Sequence, residues 1–207
     1  RIGIIPTIAP YPLPAFVKRL AQHHPDLAPH PRDAVTQRLL HALLDGRLDA
    51  AIVALPVSEP SLTEVALFDE DFVLVRAASD AGLPVPDGEA LRRMRLLLLE
   101  EGHCFRDQAL AFCAVPSALP RDGLDGSSLT TLVQMVGAGI GVTLIPEMAI
   151  PVETQSAPVA VSAFEHPRPS RTVGMIWRRT NPLADQLRHV SAVVGAAARD
   201  LGLMGSG

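Results

Sequence analysis

TQRLLHALLDGRLDAAIVAL, residues 36–55, carries a helix, a stop and a strand in one short stretch. Leu39, Leu40, Leu43 and Leu44 recur at helical spacing behind Thr36, so they form the inner stripe of a helix. Gly46 is its stop, because glycine takes the left-handed backbone that closes helices. LDAAIVAL, residues 48–55, is then apolar on both faces, as a strand inside a covered sheet must be. A helix feeding a buried strand is the unit from which layered α/β proteins are built.

The pattern continues in both directions. Upstream, IGIIPTIA is a buried strand ending in a loop, and Leu13, Phe16, Val17, Leu20 and Ala21 mark a helix that runs up to Pro25. Downstream, residues 63–68 and 72–75 read as two short strands, and the turn-rich AASDAGLPVPDG links them to a restart of the alternation. From Glu89 there follow a short helix, the strand RLLLLEEG, a cysteine-bearing segment, the helix SSLTTLVQMVGAG and the strand IGVTLIP. TVGMIWR is a further strand, and Leu183, Leu187, Val190 and Val194 mark a closing helix. Strand and helix alternate throughout, which predicts parallel sheets of βαβ units. The restart near residue 77 predicts two lobes: residues 1–76 with 171–203, and residues 77–170, with 204–207 as a flexible tail.

Two α/β lobes joined by crossover strands make a cleft, and helix N-termini facing it suit anions or small polar ligands. Thr7, Thr36, Ser127 and Ser128 stand where strands give way to helices, as helix caps, as cleft groups or as both.

Composition narrows the function classes. Of 207 residues, 48% are hydrophobic and only 4% aromatic, so the core is built from Leu, Val, Ile and Ala. No apolar run approaches the ~20 residues of a membrane helix, which predicts a soluble protein with no membrane partner. A formal charge of −4 gives no concentrated basic face for a nucleic-acid backbone. Arg1 leads straight into a strand with no signal-peptide pattern, the expectation being a fragment or a chain from which something was removed.

Both cysteines lie in EGHCFRDQALAFC, residues 101–113. Three readings are open: two small buried hydrophobes, a static disulfide, or a reactive pair. Nine residues of helix span ~13.5 Å, whereas a disulfide needs Cα atoms within roughly 7 Å, so a helix from Cys104 through Cys113 forbids the bond unless it unwinds. Cys104 follows Gly102 and His103 at a helix start, with Arg106 close by, where a thiolate is favoured. Cys113 sits among Ala111, Phe112, Ala114 and Val115, a setting for a buried thiol. This asymmetry fits oxidation of Cys104 to a sulfenic acid that Cys113 condenses to a disulfide. His103 and Cys104 are adjacent and Cys113 is remote, with no CxxC or HxxxH spacing, so neither a metal nor another cofactor is expected.

LLDGRLDAAI and MVGAGIGVTLIP are similar to stretches of the effector domains of LysR-type transcriptional regulators. IPTIAPYPLP, LFDEDFVL and above all EGHCFRDQALAFC resemble the peroxide-sensing members of that family, and the likeness covers essentially the whole chain. The resemblance implies an α/β fold of two Rossmann-like subdomains of the periplasmic-binding-protein type, with the DNA-reading winged helix-turn-helix outside this chain. It implies that Cys104 is the peroxide-reacting thiol and Cys113 its resolving partner, with Thr7, Thr36, His103, Arg106, Asp107 and Arg171 around the peroxide; the cleft hydroxyls Ser127 and Ser128 complete the expected peroxide-binding set. Ser127 stands where threonine is frequent, Thr130 where glutamate is common and Phe105 where leucine is frequent, differences that tune sensitivity. Further implications are self-association as a dimer of this domain within a tetramer, contact with DNA and RNA polymerase only through the full-length protein, and control of oxidative-stress genes. A sensor needs one event per signal, so enzymatic turnover is not expected. The rival readings are a domain binding an organic acid with inert cysteines, and a thiol peroxidase.

Overall fold

The computed structural model describes residues 1–113 and 125–202. β1 (Ile2–Ile4), α1 (Leu13–His23), β2 (Pro31–Asp33), α2 (Thr36–Leu44) and β3 (Ala50–Leu55) open the chain. The long strand β4 (Leu62–Ala77) leads to α3 (Gly88–Arg93), β5 (Leu98–Leu99), α4 (Cys104–Phe112) and β6 (Asp125–Gly126). Then come α5 (Leu129–Gly137), β7 (Thr143–Pro146), α6 (Ile150–Glu153), β8 (Val159–Ala163), β9 (Ser170–Arg178) and α7 (Ala184–Asp200). The chain divides into two compact units, one of Arg1–Glu70 with the chain from Arg171 on, the other of Asp71–Ser170.

In the first unit the strand order is β2-β1-β3-β9, with β4 beyond β9. β1 is parallel to both neighbours, Ile2 lying opposite Pro31 and Ala50, while β3 and β9 are antiparallel with Val53 opposite Gly174. Helices α1 and α7 pack on each other. Phe16, Leu20, Ile52, Met175, Trp177, Val190 and Val194 are buried in this unit, as are Leu39 and Leu43 of α2. Gly46 follows α2 with φ 74°, the left-handed stop expected of it.

In the second unit, β4 pairs antiparallel with β7 and β8, Leu74 facing Leu144 and Ser162. β5 and β6 form a short parallel pair, and Leu96 makes a parallel bridge to Val142. Phe72, Leu97, Leu99, Phe105, Leu110, Leu132, Val133, Val136 and Ile145 fill this core.

Several expectations are corrected. The sheets are mixed rather than parallel: a parallel return needs a crossover of a dozen or more residues, and β9 enters the first unit directly from the second. The two short strands at 63–68 and 72–75 are one strand, β4. The interrupting acids Asp69, Glu70 and Asp71 stay in the strand because Thr172, Arg171 and Arg168 respectively bind them. RLLLLEEG contributes only Leu98–Leu99 as strand, and β2, β6, β8 and α6 carry too few apolar residues in period to stand out. Leu44 and Leu183 are each 43% exposed, so the inner stripe of α2 ends at Leu43 and that of α7 begins at Leu187. The expected tail at 204–207 lies outside the described residues. Among the described residues no helix is long and apolar enough to cross a membrane.

Candidate functional site

The cysteine segment lies in the second unit. Gly102 has φ 94°, a backbone conformation that suits glycine, and it turns the chain out of β5 toward α4. His103, extended at φ −84° and ψ 117°, is the N-cap, and Cys104 is the first helical residue. Cys113 caps the other end of the same helix, its N–H donating to the Ala109 carbonyl at 3.2 Å. Cys104 is half-buried and Cys113 fully buried, and neither is in a disulfide. A continuous helix therefore separates the thiols by about 13.5 Å at 1.5 Å per residue, far beyond disulfide reach.

α4 is held by its buried face. Phe105, Ala109 and Leu110 point inward, and Phe105 meets Phe72 edge to face with centroids 4.8 Å apart. Phe112 meets Phe164 at 5.0 Å, also edge to face. Burial lowers the pKa of His103, with the nearby Glu100 carboxylate acting in the opposite direction, so the imidazole beside Cys104 favours its neutral form.

The other candidates of this unit have distinct surroundings. Arg106 donates from Nη1 to the Leu99 carbonyl at 2.7 Å and pairs with Asp125 at 2.9 Å, tying the first turn of α4 to β5 and β6. Asp107 is exposed in that first turn, where a negative charge suits the helix dipole. Ser128 is the N-cap of α5, its Oγ accepting from the Thr131 N–H at 3.2 Å, while Ser127 is exposed before it. Capping is thus the structural role of Ser128. Gln108 carries a buried Oε1 with no hydrogen-bond partner, a polar atom that the sequence pattern did not single out.

The remaining candidates lie in the first unit. Thr7 follows β1 in a turn and is buried, its Oγ1 accepting from Arg171 Nη1 at 2.8 Å. Arg171 also donates from Nη2 to the Thr7 carbonyl at 3.0 Å and from Nε to Glu70 at 2.8 Å. The structure thus brings Thr7 and Arg171 together and adds Glu70, which sequence reading missed: its partner stands 101 positions away. Thr36 is not a cap, since Val35 holds the N-cap position of α2, and the Thr36 hydroxyl is buried without a partner. Among the described residues no group of three His, Cys, Asp or Glu could hold a metal ion.

The LysR substrate binding domain family model matches residues 1–199. The chain belongs to that family. As a LysR substrate-binding domain it is 40% identical over 200 residues to the probable hydrogen peroxide-inducible genes activator of Mycobacterium avium, a match covering 94% of this chain and 64% of that protein. It is 37% identical to the DNA-binding transcriptional dual regulator OxyR of Escherichia coli (strain K12), covering 94% of this chain and 65% of the regulator. The chain therefore spans less than two thirds of the length of these relatives. Among solved structures, the reduced OxyR regulatory domain from Pseudomonas aeruginosa superposes with a TM-score of 0.81 at 33% identity, covering 95% of this chain and 94% of that one. The hydrogen peroxide-bound C206S mutant of Corynebacterium glutamicum OxyR gives 0.87 at 36% identity, covering 96% of this chain and 64% of that one. The mixed α/β, periplasmic-binding-protein-like architecture of this LysR domain is that of OxyR regulatory domains, a family of regulators and not of enzymes.

Proposed function

We propose that the chain is the hydrogen peroxide-sensing regulatory domain of an OxyR-type regulator acting in the cytoplasm. The observation that carries the reading is one helix with a half-buried thiol at its first residue and a buried thiol at its C-cap, in a chain similar along its length to OxyR regulatory domains. The Cys104 thiolate attacks one peroxide oxygen, forming an S–O bond as the O–O bond breaks and hydroxide leaves; Cys104 becomes a sulfenic acid. The Cys113 thiol then attacks that sulfur, the S–S bond forms, and water departs. Two thiols and one peroxide give one disulfide and two waters.

Oxidation is read out as shape because the two sulfurs cannot meet while α4 is intact. In this proposal Thr7, Thr36, His103 and Arg171 supply the groups that hold the peroxide. Arg106, through Leu99 and Asp125, and Ser128, through its cap, hold the frame, with Asp107 and Ser127 at its exposed side. Self-association of the domain, and contact with DNA and RNA polymerase through the full-length protein, carry the signal to oxidative-stress genes.

The test is intact mass and peptide mapping after brief exposure to one equivalent of peroxide. Loss of two hydrogens with a Cys104–Cys113 linkage is expected, absent in Cys104→Ser, while Cys113→Ser stops at a trappable sulfenic acid. Two unchanged thiols in the unaltered chain would overturn the proposal.

A further inference from the structure

Gly88 is the first residue of α3 and its backbone is not left-handed, so nothing in its own dihedrals calls for glycine. Alanine is the better helix former and by itself would favour α3. The need for glycine lies in a neighbour. A Cβ on Gly88 would overlap the carbonyl oxygen of Phe112, and would stand 3.4 Å from its carbonyl carbon and 3.6 Å from the Cα of Cys113. The start of α3 therefore lies directly against the backbone of the last turn of α4, at the buried thiol, and both helices belong to the second unit.

Which helix would yield to a methyl group depends on how each is held. Asp87 caps α3, its Oδ1 accepting from the Ala90 N–H at 2.7 Å, and Leu91 is completely buried. The link from β4 to α3 is pinned by Arg76, a buried guanidinium. Its Nη1 donates to the Pro84 carbonyl at 3.1 Å, and its Nη2 to the Ala81 carbonyl at 3.3 Å and to Ser162 Oγ of β8 at 3.0 Å. Retreat of α3 would break several of these contacts. At the end of α4, the Cys113 N–H donates to the Ala109 carbonyl at 3.2 Å and Phe112 meets Phe164. Helix ends open at the least cost, so the last turn of α4 gives first.

We propose that α3 braces the dithiol form through Gly88: the bare backbone at this position lets α3 hold the last turn of α4 helical, and so sets how readily Cys113 leaves its cap position to reach Cys104. This rests on the Cys104–Cys113 switch read above. The disulfide needs Cα atoms within roughly 7 Å, which an intact α4 does not allow, so the brace is a contact of the dithiol form alone. A group that pushes on it destabilises the dithiol and leaves the disulfide as it was.

The experiment compares Gly88→Ala with Gly82→Ala, an exposed glycine of the same link whose Cβ would meet nothing within 4 Å. Each chain is equilibrated with glutathione and its disulfide, and thiol trapping reads the ratio of forms. Two protein thiols and one glutathione disulfide give the protein disulfide and two glutathione thiols. Gly88→Ala shifts this equilibrium toward the protein disulfide by about tenfold, the low end of what overpacking costs, which is a potential lower by about 30 mV. Gly82→Ala leaves it in place. With peroxide, Gly88→Ala forms the sulfenic acid at the unaltered rate, because Cys104 stands at the other end of α4, and closes the disulfide faster. Should Gly88→Ala fail to fold, Asp87→Ala decides: loss of the cap loosens the start of α3 and shifts the equilibrium the same way by about threefold, whereas Asp87→Asn keeps a capping oxygen and the unaltered value. An unaltered equilibrium in the folded variant, or a shift toward the dithiol, would overturn the inference and leave the peroxide-sensing reading standing. Thiols that never pair in the unaltered chain would overturn that reading and the brace with it.

Discussion

His103, the N-cap residue next to Cys104, is a residue whose protonation is linked to its burial. Burial disfavours its imidazolium and Glu100 opposes that only in part, so its pKa in the folded chain lies below the ordinary value. Below about pH 6.5 the unfolded chain then takes up this proton more readily than the folded one, so folding stability falls as acidity rises through that range. In His103→Gln the penalty is gone. Urea midpoints measured from about pH 8 to about pH 5 are expected to show the unaltered chain losing stability relative to the variant on acidification. Parallel curves would mean that this proton is not linked to folding. The role of Cys104 and His103 as the start of a helix was legible because glycine, cap and first turn are all local signals. Glu70 was not, because an acid inside an apolar strand shows its meaning only through a partner on another strand. Thr36 read as a cap from its neighbours, yet it sits inside the first turn with its hydroxyl buried, a distinction of one residue that spacing does not resolve.

At the scale of the element, α4 separates the two thiols beyond disulfide reach, so in the proposed switch it is both the barrier to the bond and the part whose shape must change. Its apolar spacing and its ends are visible in EGHCFRDQALAFC, so the conflict between helix and disulfide follows from the amino-acid order alone. The Phe105–Phe72 contact does not, because it joins α4 to a strand whose continuity the run of acids conceals. If α4 must unravel on oxidation, every contact that holds only the helical form favours the dithiol. Phe105 is such a contact, being buried and set edge to face against Phe72. Phe105→Leu, a substitution that keeps an apolar side chain but loses the ring pair, weakens the dithiol form relative to the disulfide by about 1.4 kcal/mol, which lowers a two-electron potential by about 30 mV. Equilibration in glutathione redox buffers with thiol trapping measures this directly. A potential equal to that of the unaltered chain would show that Phe105 keeps its packing in both forms and that the helix opens elsewhere.

At the scale of the whole molecule, charge bears on what this chain can bind by itself. The formal charge is −4, and Lys18 is the only lysine, so the basic side chains are almost all arginine. Many of those are engaged inward or in pairs: Arg171 with Glu70, Arg106 with Asp125, Arg168 with Asp71, Arg19 with Asp200. Binding to a phosphate backbone draws its free energy from releasing counterions over several adjacent cations, and paired arginines release none. The matched relatives include a DNA-binding regulator of which this chain covers 65%. The expected outcome is that this chain alone, reduced or oxidised, gives no mobility shift with promoter DNA at about 150 mM salt, and no steep salt dependence as the concentration is lowered. A specific shift by the chain alone, weakening with salt in the manner of several phosphate contacts, would assign it a DNA-contacting face of its own. The proposed disulfide switch would then act directly at the DNA.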